Sequence, residues 1–276
     1  MMKWPVLVLL LCCAPAMAAT EPPPNPGTAL ITGSDRGIGL ALTREFESRG
    51  WQVIATCRDP GKATELAALA QAHPKITIEK LDVADNAAID ALVTKLKDRP
   101  IDALINNAGY YGSNEGQSLA KLDPDQFALA LRVNSYAPLR VSAAFLELVA
   151  ASRQRKIVGI SSGYGSMSSV ESLADSGYPS AYFYAMSKAA LNMGLREFAF
   201  EAAAPRHVTT VLLSPGAVDT DMQRGLRSDM ARLGKPITGP VLTPEESAHA
   251  LVLTIEQLQP EQNGKFLRRD GSEVPW

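Results

Sequence analysis

Two short stretches carry residue types whose spacing could do chemistry. Thr32-Gly33-Ser34-Asp35-Arg36-Gly37-Ile38-Gly39 is a glycine-rich turn, and Tyr184-Ala185-Met186-Ser187-Lys188 sets a phenol and an ammonium four residues apart. Glycines let a backbone approach a pyrophosphate closely. A helix that starts at such a turn adds free N–H groups and the positive end of its dipole. Residues at i and i+4 share a helix face, so Tyr184 and Lys188 can act on one atom. A tyrosine with an unperturbed pKa of about 10 can protonate an alkoxide but is a poor base near neutrality. A unit positive charge about 4 Å away, at an effective dielectric of about 20, is worth roughly 4 kcal/mol, an upper limit of about three pKa units. The spacing therefore predicts that Lys188 brings the phenol near working pH. Glycine turns also occur without ligands, and Tyr/Lys pairs on exposed helices. Found together in one chain, they point to a nicotinamide-dependent oxidoreductase.

Such groups converge only if a scaffold brings distant segments to one edge. From Thr28 onward apolar runs at strand and helix periods alternate. Strands are predicted at Thr28–Ile31, Gln52–Thr56, Ile76–Leu81, Ile101–Ile105, Lys156–Ser161, Val208–Leu213 and Lys265–Leu267. Helices are predicted at Ile38–Arg49, Ala63–Ala72, Asn86–Lys97, from Asp123 to about Ser152, from the Tyr184 segment onward, and after the capping box Thr243-Pro244-Glu245-Glu246. Strands joined by helical crossovers imply an α/β fold of the Rossmann type: a doubly wound parallel sheet of about seven strands, covered on both faces. Ligands bind beyond the carboxyl ends of such strands. Five motifs fall there: Gly33–Gly39, Asp82-Val83, Asn106-Asn107-Ala108-Gly109, Ser161-Ser162 and Pro215-Gly216.

Composition sets the bounds. A chain of 276 residues with net charge −2 suits one substantial α/β domain and gives no reason to expect nucleic acid or an anionic membrane surface as partner. Cys57 is the only cysteine beyond the leader, and His73, His207 and His249 have no metal-ligand spacing, so neither a disulfide framework nor a metal is expected. Residues 1–18 read as a signal peptide: Lys3, the apolar run Val6–Ala14 and the cleavage pattern Ala16-Met17-Ala18. Residues 19–27 form a proline-rich spacer, and residues 28–276 the dinucleotide-binding domain. The apolar run is too short for a stable membrane span. This leader implies a periplasmic or secreted protein; a start codon set too far upstream would instead leave it cytoplasmic.

The glycine spacing is G-x-x-x-G-x-G. With Asn106-Asn107-Ala108-Gly109, Val133-Asn134, Ile160-Ser161-Ser162, Tyr184–Lys188 and Ser214-Pro215-Gly216 in that order, the chain resembles the short-chain dehydrogenase/reductase family over nearly everything after residue 27. The stretches Val53–Pro60 and Asp270–Trp276 look like the C-factor-like and sniffer-like carbonyl reductases within it. The resemblance implies carbonyl/alcohol interconversion by hydride transfer and a homo-oligomer. It implies that Tyr184, Lys188 and Ser162 form the catalytic triad, with Ser162 holding the substrate oxygen. Asn134 is expected to anchor a water that relays protons to Lys188. The cofactor would lie on Gly33, Ser34, Asp35, Arg36, Gly37, Ile38 and Gly39, on Asp82 (to the adenine amino group) and Val83, and on Asn107, Ala108 and Gly109. Tyr184, Lys188, Pro215, Gly216, Val218 and Thr220 complete that set, Thr220 holding the carboxamide. The alternative is a non-catalytic dinucleotide-binding or signalling protein on the same fold, against which the intact Tyr184, Lys188 and Ser162 argue.

Cofactor choice turns on the end of the second strand. A carboxylate there would bind the ribose 2′-hydroxyl and repel a 2′-phosphate. Cys57 stands at that position, with Arg58 after it and Arg36 in the glycine turn, so NADP(H) is expected over NAD(H). On the substrate side the interval Gly163–Phe183 carries an insertion with Tyr164, Met167, Leu173, Tyr178, Tyr182 and Phe183, and a basic loop spans Asp221–Gly239. Their apolar area favours a lipophilic or aromatic carbonyl, a small-molecule substrate.

Overall fold

Alternate residues of each buried strand go to opposite faces, and the chain exploits both. Leu30 and Leu104 enter one apolar layer with Val141, Phe145 and Val149; their neighbours Ile31 and Ile105 enter the other with Phe46, Trp51, Leu251 and Ile255. The computed structural model describes residues 26–276 except Leu233, Lys235 and Thr238. The expected signal peptide and most of the spacer lie outside the described residues.

Seven strands, β1 (Thr28–Thr32), β2 (Gln52–Cys57), β3 (Ile76–Lys80), β4 (Ala103–Asn106), β5 (Lys156–Ile160), β6 (Thr209–Ser214) and β7 (Phe266–Arg268), form one sheet in the order β3-β2-β1-β4-β5-β6-β7. Every pairing is parallel. The order reverses between β1 and β4, which opens the crevice where ligands bind in such sheets. Helices α1 (Gly37–Ser48), α2 (Thr64–Ala72), α3 (Asn86–Lys95), α4 (Pro124–Leu131), α5 (Ala137–Ala150), α6 (Val170–Asp175), α7 (Tyr182–Phe198), α8 (Asp221–Arg232) and α9 (Pro244–Gln257) connect and cover it.

Two departures from the sequence pattern, and one close approach, bear on the site. The helix expected from Asp123 to about Ser152 is interrupted by a π-helical turn at Arg132–Tyr136. The widened turn rotates Asn134 inward, where it is fully buried. Within the basic segment Asp221–Gly239, the part Asp221–Arg232 is a helix, α8: its inner positions Leu226 and Met230 are buried, a pattern its charged outer positions mask. Gly159 in β5 admits α7 to close range, since a Cβ there would stand 2.5 Å from Leu195 Cδ1.

Candidate active site

The glycine turn is closed by backbone geometry. Gly33 has φ +68°, and a Cβ there would lie 2.9 Å from Ala108 Cα; at Gly39 it would lie 2.0 Å from the Gly33 carbonyl oxygen. Neither position admits a side chain. Thr32 Oγ1 accepts the N–H groups of Asn107 and Ala108, both at 3.0 Å. Asn107 Nδ2 donates to the carbonyls of Thr32 (2.9 Å) and Gly33 (3.0 Å). Ser34 is fully buried, its hydroxyl donating to the Ile31 carbonyl and its N–H to that of Thr56. Asn107 and Ser34, expected as cofactor contacts, thus spend their side chains on shaping the turn.

Arg36 caps α1 with extended backbone and no side-chain hydrogen bond, and no acid stands in the first helical turn, so the N-terminal amides of Gly37, Ile38 and Gly39 keep their positive field. Asp35 lies close enough to Cys57 for its charge, after burial, to push the thiol up. Arg36 and Arg58 are exposed at this end, while Asp59 turns to the Gly61 N–H and to Lys62. Asp82 accepts the Ala84 N–H at 2.9 Å, Val83 is buried in the core and Gly109 is exposed at the rim. Across the crevice, the Pro215 carbonyl accepts from Ser247, Gly216 has φ +86° and Val218 bridges to Leu242. The Thr220 methyl lies 3.2 Å from where a Gly37 Cβ would be. The structure brings all of these to one rim.

The second cluster surrounds Tyr184 in the first turn of α7. Its ring meets Tyr111 at 5.2 Å and Tyr164 at 5.8 Å between centroids, and Tyr164 meets Tyr178 at 6.3 Å. Leu226, Met230 and Ile237 complete this group, so α8 roofs it. Tyr164 and Tyr178 are the members of the insertion that reach the cluster. Phe183 packs instead on Phe127, while Met167 and Tyr182 are exposed, so only part of the insertion's apolar area faces this cluster.

Lys188 lies one turn beyond Tyr184, buried, with Nζ donating to the Ile160 carbonyl at 2.8 Å and standing 5.7 Å from the Tyr184 ring centre. Burial pushes its ammonium down to about 8. Burial pushes the Tyr184 phenol up to about 12, opposed by a hydrogen bond with Ser162. Burial therefore works against the lowering expected from Lys188. The same burial that strengthens a charge's reach also disfavours the ammonium and the phenolate, and here desolvation wins. Tyr184 is a well-loaded acid.

Asn134 is held on both sides by its amide. Its Oδ1 accepts the Tyr110 N–H at 2.7 Å, and its Nδ2 donates to the Tyr110 carbonyl (2.7 Å) and to Ser187 Oγ (2.9 Å). The side chain holds the β4 rim to α7 beside Lys188. Gln117 plays a comparable part that sequence reasoning missed. It is 1% exposed; its Oε1 accepts the Tyr184 N–H at 3.0 Å and its Nε2 donates to the Tyr111 carbonyl at 2.8 Å. The residue before α7, Ala181, has no side chain to cap it, and Gln117 supplies that cap from 67 residues away. Tyr111 donates to Asn114, which donates to Asp229 of α8 at 3.0 Å, clasping the loop to the roof.

Among the described residues no group of three His, Cys, Asp or Glu side chains is placed to hold a metal, and no helix is long and apolar enough to cross a membrane. The family profile described as short chain dehydrogenase matches residues 27–231, and the chain belongs to that family. Within it, the chain is 35% identical over 186 residues to the C-signal protein of Myxococcus xanthus, covering 67% of this chain and 99% of that one. Among solved structures, the NADPH-bound carbonyl reductase from chicken fatty liver superposes with a TM-score of 0.77 at 31% identity, covering 90% of this chain and 98% of the other. The carbonyl reductase Sniffer of D. melanogaster gives 0.78 at 28% identity, with 90% and 99% covered. The protein is thus a single-domain short-chain oxidoreductase, as its motifs imply.

Proposed function

We propose that the protein reduces carbonyl compounds with NADPH, with Tyr184 as proton donor to the carbonyl oxygen. The observation that carries this reading is the placement of Tyr184 at the start of α7, one turn from the buried Lys188 whose Nζ stands 5.7 Å from the tyrosine ring centre, at the rim that carries the glycine turn. The NADPH-bound neighbour supports the cofactor. So does the turn itself, a cradle free of Cβ atoms at Gly33 and Gly39 and open at the α1 N-terminus. The bound nicotinamide supplies a hydride. Ser162 positions the substrate oxygen, and Tyr184 delivers its proton there. Lys188 recharges the phenol and anchors itself on the Ile160 carbonyl. Because the phenol stays protonated up to about 12, reduction is favoured near neutrality and alcohol oxidation gains as pH rises. Arg36 and Arg58 hold the 2′-phosphate. The Tyr111, Tyr164 and Tyr178 rings take a lipophilic or aromatic substrate.

Titration of the purified chain with NADPH and NADH, followed by a panel of carbonyls, tests this. Equal affinity for the two nucleotides would remove the cofactor assignment, and no turnover of any carbonyl would remove the reaction. Copies are proposed to associate through the outer face of α7 and its extension, where Met186, Met193 and Phe200 repeat at seven-residue spacing, each about half exposed. Light scattering of Met193→Glu checks that face. The tripartite leader supports export, with a mature N-terminus at Ala19 that mass spectrometry would detect.

A further inference from the structure

Helix α8 carries three arginines in two different situations. Arg224 is exposed and pairs with Asp219 and Asp221 at 2.9 and 2.7 Å, and Arg232 is exposed and pairs with Asp229. Arg227, between them, meets no carboxylate among the described residues. Its side chain turns inward: one terminal nitrogen donates to the Gly239 carbonyl, while Nε is buried with no acceptor. One turn earlier Gln223 is in the same state, its Nε2 buried with no acceptor. Only one other described residue has such an orphan, the hydroxyl of Thr210 in β6.

Residues 223 and 227 stand one turn apart, and with Leu226 and Met230 they form one continuous helix face. Leu226 and Met230 belong to the apolar cluster against which Tyr111, Tyr164, Tyr178 and Tyr184 pack. The two orphaned donors therefore border the apolar wall around the acid. A guanidinium has no acceptor and does not give up its charge, and a buried donor left unmet is costly, more so when charged. Its complement is an oxyanion, held bidentately or shared with the neighbouring amide.

We propose that Gln223 and Arg227 form a subsite for a carboxylate on the carbonyl substrate, so that the enzyme acts on aromatic or lipophilic carbonyls bearing an acidic group. The proposal rests on the carbonyl-reductase reading above. A cofactor phosphate has the same oxyanion chemistry, and Thr220, just before α8, touches the glycine turn. The substrate is favoured because the residues flanking the donors on α8 face the tyrosines.

The test measures NADPH-dependent reduction of 4-formylbenzoate and of its methyl ester by the wild type, Arg227→Gln, Arg227→Lys, Gln223→Leu and Arg224→Gln, with NADPH affinity followed by nicotinamide fluorescence. The expected wild-type preference for the acid in kcat/KM is about tenfold or more. Arg227→Gln should lose it through KM, with ester turnover and NADPH affinity within about twofold of wild type. Arg227→Lys should regain part of it, and Arg224→Gln should keep it. Equal reduction of acid and ester by the wild type overturns the subsite and needs no variant to fold. Weakened NADPH binding in Arg227→Gln with the acid preference intact overturns the assignment to substrate. Failure to reduce either compound, or any other carbonyl, overturns the underlying reading instead.

Discussion

The two halves of the crevice are built on opposite principles. On the β1–β4 side the turn is fixed by backbone: Gly33 and Gly39 have no room for a Cβ, and Thr32, Ser34 and Asn107 tie the turn with side-chain hydrogen bonds of about 3 Å. On the α7–α8 side the site is fixed by side chains from four distant segments. Tyr111, Tyr164, Tyr178 and Tyr184 pack under a helix that keeps two buried donors unmatched. The contrast teaches where specificity resides. A fixed, self-satisfied cradle fits a constant ligand, whereas an apolar pocket with a few directed polar groups can be retuned by exchanging side chains.

Removing the acid should have the largest effect on this contrast. Tyr184→Phe should lower kcat by about 10²–10⁴-fold with NADPH affinity unchanged, since the cradle does not depend on the hydroxyl. Tyr182→Phe, on an exposed ring, should stay active. Stopped-flow single turnovers with both variants would decide, and the reverse pattern would place the acid at the wrong tyrosine.

Next in size is the burial of Lys188. Its folded pKa of about 8 lies below the unfolded value of 10.5, so the unfolded chain binds more protons between them and stability rises with pH across that window. Relative to Lys188→Met, the wild type should gain about 3 kcal/mol of unfolding free energy from pH 8 to pH 10.5 and show a constant difference below pH 8. Chemical denaturation at a series of pH values reads this directly. A flat difference would mean that the ammonium is solvated and the α7 side less dry than described.

On the cradle side, Arg58→Asp should weaken NADPH by about 1.5–3 kcal/mol, the worth of a charge-assisted phosphate contact, and leave NADH nearly unaffected. Equal losses for both nucleotides would locate Arg58 away from the 2′-phosphate. The smallest expected effect belongs to Gln117. Gln117→Leu leaves the Tyr184 N–H and the Tyr111 carbonyl without their partner, at about 1–3 kcal/mol of stability. If Gln117 positions the acid, kcat should fall while KM for NADPH holds, and Gln117→Glu should restore part of it through the surviving acceptor oxygen. A loss of stability with kcat intact would make its role structural alone.

The cradle was legible in the sequence and the roof was not. Glycine positions, strand alternation and the i, i+4 relation of Tyr184 to Lys188 are consequences of local backbone geometry, so order and spacing along the chain determine them. Those features are enough to set the parallel sheet, the rim on which the motifs gather and the family. Tertiary structure decided what depends on neighbours far apart in sequence. It made a helix of Asp221–Arg232 by burying Leu226 and Met230, turned Asn134 and Gln117 into braces, and separated Arg227 from Arg224 and Arg232. It also set burial against the expected lowering of Tyr184. A charge four residues away can be read from the chain, but the loss of water around both groups is set by Tyr111, Tyr164 and the α8 roof, which only the fold brings there.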